Sequence, residues 1–424
     1  MASGRRRHTL TTRGRCFVAA GTTLTLGGML LGFSDLTRVG VLLVVLPLAA
    51  LLLTRRRPPA IAISREVQPA RLGLDQRAEV RVTFQNRGGR RSPLFLAEER
   101  LDYALGDRPR FVLPRMDPGA RRRLTYRVSS HVRGRHLLGP IALRQRDPFG
   151  LTHVGLVLRS TTEVLVLPRI EPLGAARPRG EGLGSEGEIP HMVASHGEDD
   201  VSIRTYREGD ELRRVHWPAT AHRGEIMVRQ EDRPARRRAV LLLDSRSAAH
   251  RGSGSTSSFE WAVSALASIA VRLVSEGYAV HLVSDGTLAD GASGQLVDLD
   301  AILSALALAQ PGPAEAFDAA VREGQTLAAT GGVVVAVVAD HDEDALRRLT
   351  AVRQPGTVGL LLLLDTRSFD NRAEEYECPE STTAMSSIPG TAGWTTQVVG
   401  SGDSVRAVWE RATVTGSLQQ VGAR

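Results

Sequence analysis

Four aspartates stand where apolar runs in the C-terminal half of the chain give out: Asp244, Asp285, Asp340 and Asp365. Carboxylates at the C-terminal ends of parallel strands lie where open α/β sheets gather their ligands, although acids there also serve as loop residues and helix caps. Asp340, Asp342 and Asp344 imitate the first half of a calcium loop. Ala345 replaces the glycine that loop requires and no glutamate follows at its twelfth position, so the three read as strand-end and first-turn acids favoured by a helix dipole. More unusual is the stretch 203–230, IRTYREGDELRRVHWPATAHRGEIMVRQ, which crowds Arg204, Tyr206, Arg207, Gly209, Asp210, Arg213, Arg214, Trp217 and Arg223 together. One reading is structural: Arg204 and Arg213 clamp Asp210 through bidentate geometry while Trp217 anchors the turn against the core. The other makes the same surface a docking face, since Arg, Tyr and Trp dominate interface hot spots.

Several chemistries are excluded. All 54 basic side chains are arginine, so there is no P-loop lysine to grip a phosphate and no Schiff-base lysine. Cys16 and Cys378 form neither a disulfide framework nor a four-ligand zinc site, and His216 and His222 lack the spacing of a helical zinc pair. The residues call for no cofactor. Ser245, Ser247 and Cys378 keep a hydrolase open as a minor alternative, because triads follow geometry and not order. Aromatic content is 4%, which leaves no interleaved rings for nucleic-acid stacking.

These residues need elements to hold them. Residues 1–57 carry nine arginines against one acid, residues 58–170 are +11 and residues 171–424 are −11. The first segment holds two apolar runs, with spans expected at about 16–34 and 37–54. The second run, 39–53, covers only about 22 Å by itself and must borrow flanking residues to cross a bilayer. Arginines before the first span and after the second predict a hairpin in the cell membrane with both ends in the cytoplasm. Residues 58–170 alternate apolar and polar side chains between turns such as Asn86-Arg87-Gly88-Gly89 and Asp117-Pro118-Gly119, the pattern of an antiparallel β-sandwich. Residues 171–200 read as a linker. From 201 to 424, apolar strands at 239–243, 279–284, 333–339 and 358–364 alternate with helices, predicting a Rossmann-like parallel sheet covered on both faces.

Arg-x-Tyr-x-x-Gly-Asp-x-x-Arg, from Arg204 to Arg213, then Val215-His216-Trp217 and Thr220-Ala221, together with Arg133-Gly134-Arg135, Leu138-Gly139-Pro140 and Asp147-Pro148-Phe149-Gly150-Leu151, resemble the domain-of-unknown-function 58 family of bacterial membrane proteins. The resemblance covers about residues 15–365, with one departure: His222 stands where the family usually has arginine. It implies a β-sandwich followed by a von Willebrand A-like domain, with no established enzymatic activity and with a MoxR-type AAA+ ATPase as the expected partner. With the membrane hairpin, the sequence is read as a membrane-tethered, cytoplasm-facing binding scaffold. Von Willebrand A domains commonly hold a divalent cation through Asp-x-Ser-x-Ser, which here reads Asp244-Ser245-Arg246-Ser247-Ala248. Arg246 brings positive charge to the cation's position and Ala248 brings no oxygen, so the expected metal complement is none. A cation-dependent ligand-binding domain is the alternative.

Overall fold

The computed structural model describes residues 6–55, 60–146, 149–174, 201–206, 215, 217–231, 238–291, 298–329, 331–339, 342–354, 357–370 and 380–418. A strand, β1 (Arg6–Leu10), precedes two helices, α1 (Thr12–Leu31) and α2 (Ser34–Arg55). Both helices are long and apolar enough to cross a membrane. The short second run gains its length by starting the helix at Ser34: 22 residues rise about 33 Å. Gly14, Gly21 and Gly28 recur every seventh residue and are the buried positions of α1. A Cβ at Gly21 would come within 2.8 Å of the Gly40 carbonyl, and one at Gly28 within 2.5 Å of the Thr37 hydroxyl, so the two backbones meet where side chains are smallest. The outer faces remain apolar and exposed, Leu30 to 87%.

Two antiparallel systems follow. β2 (Ile61–Gln68), β4 (Ala78–Asn86) and β7 (Arg121–Val128) form a three-stranded sheet, preceded in chain order at its middle by the short β3 (Arg71–Leu72). β5 (Phe95–Leu101), β6 (Arg110–Leu113), β8 (Gly134–Arg146), β9 (Thr152–Leu158) and β10 (Thr162–Val166) join β1 and β3 in a seven-stranded sheet. Strict alternation in β4 turns Val80, Val82 and Phe84 inward against Leu138, Ile141 and Leu143 of β8, and the two sheets share one apolar core. All contacts are antiparallel except β10 with β3. Asn86 stitches the two expected turns: its buried amide donates to the carbonyls of Arg90 at 2.7 Å and Met116 at 3.0 Å. Inside the core, Arg65 Nε meets Glu99 Oε1 at 2.5 Å with both side chains fully buried. Gly139 has φ +94°, and a Cβ there would come within 2.5 Å of the Ser160 carbonyl and also press on Arg65, which explains why the Leu138-Gly139-Pro140 turn carries glycine there.

The C-terminal half begins with an arm of β11 (Val201–Thr205), the short helix α3 (Trp217–Arg223) and β12 (Met227–Glu231). A five-stranded parallel sheet comes next, in the order β14-β13-β15-β16-β17. Its elements in sequence are β13 (Arg238–Leu243), α4 (Ser258–Ser275), β14 (Ala279–Val283), α5 (Asp285–Ala289), α6 (Leu299–Leu308), α7 (Glu315–Ala328), β15 (Gly332–Ala339), α8 (Glu343–Thr350), β16 (Thr357–Leu364), α9 (Glu380–Thr391), β17 (Thr395–Val399) and α10 (Val405–Leu418). Ala239, Leu241 and Leu243 face a core built with α4, α6 and α10, whereas Val240 and Leu242 face one built with α7 and α8. Helices on both faces are what fully apolar strands demand. α4 is also long and apolar enough to span a membrane, but its apolar residues pack on the sheet.

Candidate functional site

β13 ends by delivering Asp244 to the C-terminal edge of the sheet, where it is completely buried. Asp244 Oδ1 accepts from the Arg246 amide at 3.1 Å and from Arg246 Nε at 2.9 Å; Oδ2 accepts from Arg246 Nη2 at 2.8 Å and from the Ala339 amide at 3.3 Å. The guanidinium reaches onward to Asp342 Oδ2 at 2.6 Å, and its carbon lies 4.3 Å from the centre of the Phe317 ring. Asp342 also caps α8, its Oδ1 accepting from the Ala345 amide at 2.9 Å. Burial opposes the Asp342 charge, but the Ala345 amide and the Arg246 guanidinium outweigh it and hold this carboxyl below its ordinary range. Burial likewise works against the Arg246 cation, and the two carboxylates more than restore it. The loop at Gly312 closes the site, its carbonyl accepting from the Ser247 amide at 2.9 Å. Ala248 is exposed and supplies only a methyl group.

The four strand-end acids thus part company. Asp244 is engaged with Arg246, Asp285 opens α5, Asp365 is buried after β16, and Asp340 lies outside the described residues. Among the described residues no three His, Cys, Asp or Glu side chains gather as metal ligands. A serine and a histidine do meet, His250 Nδ1 and Ser258 Oγ at 3.0 Å, but that serine is fully buried and already bonded to Arg251. Ser245 is buried and Ser247 exposed; Cys378 lies outside the described residues.

In the stretch 203–230, Arg207, Gly209, Asp210, Arg213, Arg214 and His216 lie outside the described residues, as does the Arg204 side chain on β11. The clamp of Arg204 and Arg213 on Asp210 falls there too. Tyr206 donates its amide to the Ile226 carbonyl at 2.8 Å, tying the two strands of the arm. Trp217 corrects the sequence expectation: it does not anchor against the core but is 70% exposed, at the start of α3. A tryptophan is seldom fully buried, so its identity alone does not fix its side. Arg223 is exposed in the last turn.

Two signatures from the β half prove to be joints. Arg133 leaves the β module and enters the α/β half, where Nε donates to the Leu306 carbonyl at 3.1 Å and Nη2 to that of Ala309 at 2.5 Å. It satisfies the carbonyl end of α6, pairs with Glu260 of α4 and lies over Phe259. Thr11, the N-cap of α1, docks on the other signature: its amide donates to the Leu151 carbonyl at 2.9 Å and its hydroxyl to that of Gly150 at 2.7 Å. Neither reach was visible in sequence, because the acceptors are backbone carbonyls. A cleft of about 680 Å³ opens beside the Arg133 joint, but its charges are engaged: Asp75 with His131 and Arg169, and Asp403 with Arg411.

Paired apolar helices, an antiparallel β module and a doubly covered parallel sheet with an arginine at its strand-end carboxylate define the class. Within it, residues 202–367 match the family described as "Protein of unknown function DUF58". The uncharacterized protein YeaD of Bacillus subtilis (strain 168) is 26% identical over 164 residues, 38% of this chain and 39% of that protein. The chain therefore spans about two fifths of the length of that relative. Among solved structures, the CARDB domain of a Pyrococcus furiosus protein in complex with di-metal ions is similar at 17% identity over 26% of this chain and 93% of that one, with a TM-score of 0.19. The Pseudomonas fluorescens alkylpurine DNA glycosylase AlkC is similar at 15% identity over 37% and 43%, also with a TM-score of 0.19. Likenesses this remote transfer no role to the chain.

Proposed function

We propose that the chain is a membrane-tethered, non-enzymatic binding scaffold facing the cytoplasm, in which a β-sandwich carries a von Willebrand A-like domain toward a protein partner. The observation that carries this reading is Trp217, a large aromatic left 70% exposed on the arm of α3 beside arginine-rich sequence. Such a residue is a characteristic interface anchor. A MoxR-type AAA+ ATPase is the candidate partner, on family resemblance alone. The sandwich reading is supported by two sheets sharing one core, and the von Willebrand A reading by a parallel sheet covered on both faces. Membrane lipid is the surroundings proposed for the hairpin, whose outer faces are apolar. That both ends of the hairpin lie on one side is supported by β1 and β2, which tie them into the same β module, and the flanking arginines favour the cytoplasm as that side.

The exposure of Trp217 makes a direct test available, since its removal opens no core cavity. Trp217→Ala should leave the unfolding temperature within about 2 °C of wild type, as befits a surface change, and reduce recovery of the native partner from membranes at least threefold. Arg207→Glu and Arg214→Glu should act in the same direction. Wild-type recovery by all three variants would overturn the docking reading.

A further inference from the structure

The resemblance to von Willebrand A domains implies a divalent cation at Asp244, and the residues present do not fit one. All four hydrogen-bonding positions of the Asp244 carboxylate are engaged, by two backbone amides and two arginine nitrogens of this chain. Asp342 has one oxygen on the Ala345 amide and the other on Arg246. The guanidinium between them is itself almost wholly buried, and the Phe317 ring covers it. From these contacts we infer that Arg246 is a tethered substitute for a divalent cation, joining the Asp244 and Asp342 carboxylates across two strand ends where a metal would otherwise join oxygens.

The substitution changes what the site offers. A hard divalent ion takes six or more oxygens and can complete its shell with a carboxylate from another molecule. The guanidinium has no coordination position to offer: three of its five N–H groups are spent on Asp244 and Asp342, and its side chain is almost wholly buried under an aromatic ring. Any partner that meets this edge of the sheet does so without a bridging metal. The buried Asp244 carboxylate and the partly exposed Asp342 carboxylate, deprived of their cation, must protonate or recruit another, because an unpaired charge is strongly disfavoured away from water. This inference is separate from the docking reading, which concerns residues 204–223, and its test needs no partner.

The full chain in detergent is followed by thermal unfolding with and without millimolar Mg²⁺ or Ca²⁺, alongside equilibrium dialysis against Mn²⁺. Wild type should bind no ion at this site and show no ion-dependent rise. Arg246→Ser should unfold several degrees lower, bind one Mn²⁺ per chain, and recover part of the loss with millimolar divalent ion, since a ligand of the native state raises its unfolding temperature. Asp244→Asn combined with Arg246→Ser should abolish both the binding and the recovery. Ion binding by wild type that Asp244→Asn removes would overturn the inference. So would an Arg246→Ser protein that matches wild-type stability without ions, or one that no divalent ion restores. Should Arg246→Ser fail to fold, Arg246→Lys supplies the second measurement: a point charge without the fork should fold, unfold at lower temperature and stay independent of ions. An ion requirement in Arg246→Lys would count against the inference.

Discussion

Asp342 is the residue on which charge, cap and loop packing converge, and its chemistry makes a pH prediction. Its carboxyl is held below the ordinary range in the folded chain, so the unfolded state binds the proton first as acid is added. The stabilisation is therefore complete above the unfolded value near pH ~4 and is lost as pH falls through the lower folded value. Asp342→Asn keeps a good helix cap and removes only the charge. It should lower the unfolding temperature at pH 7, and the gap from wild type should close below about pH 4. A gap that persists unchanged in acid would assign the effect to the cap. Asp102, held down by its hydrogen bond from His136, adds to the same acid sensitivity. At this scale the sequence was half legible. Arg246 could be read as a misfit because it stands two residues beyond a strand-end aspartate, but its second partner follows a different strand 96 positions away, and no local spacing marks which loop folds over the site. Trp217 was misread for a related reason: aromatic identity suggests a contact without saying with what.

The elements were legible where burial is two-sided. The runs ending β13, β15 and β16 are apolar without interruption, and that of β14 is broken only by the buried His281, because helices cover both faces; the sequence located all four. β17 was missed, since Thr395, Thr396 and Gln397 sit on a half-exposed edge strand where that pressure is relaxed. β1 was missed because a strand of arginines and a histidine has no apolar period to read. The joint between modules rests on Arg133, whose side chain is 6% exposed and serves two helices at once. Arg133→Ala leaves the end of α6 and Glu260 without a partner, and should destabilise the chain by about 2–4 kcal/mol. Arg133→Lys should fall between, because an ammonium cannot reach both carbonyls as a fork does. Urea unfolding measures both. A loss below about 0.5 kcal/mol in Arg133→Ala would place the joint elsewhere.

Over the whole molecule, the order of segments was readable from shifts of composition and charge. The closure of one segment onto another was not. The +11 and −11 segments do touch through opposite charges, Arg71 with Asp300 at 2.8 Å and Arg133 with Glu260. Most other arginines of the β module lie at its surface, where a nearby anionic leaflet would add about 1 kcal/mol each at most. Reporter fusions after Arg57 and at the C-terminus should both read as cytoplasmic. A periplasmic signal from either would overturn the proposed orientation, and with it the use of those arginines.

The pairing of β1 with β9, which sets Arg6 opposite Leu156 and Leu10 opposite Thr152, also imposes an order in time. β1 leaves the ribosome before β9, and its partner is made about 145 residues later; at ~5–20 residues per second, the wait is roughly 7–30 s. During that interval the two apolar helices are already complete and free to enter the bilayer, while the N-terminal strand has no sheet to join. On the proposed membrane reading, insertion of the hairpin precedes closure of the sheet edge, and β9 arrives to fasten a strand that a bilayer would already hold close by.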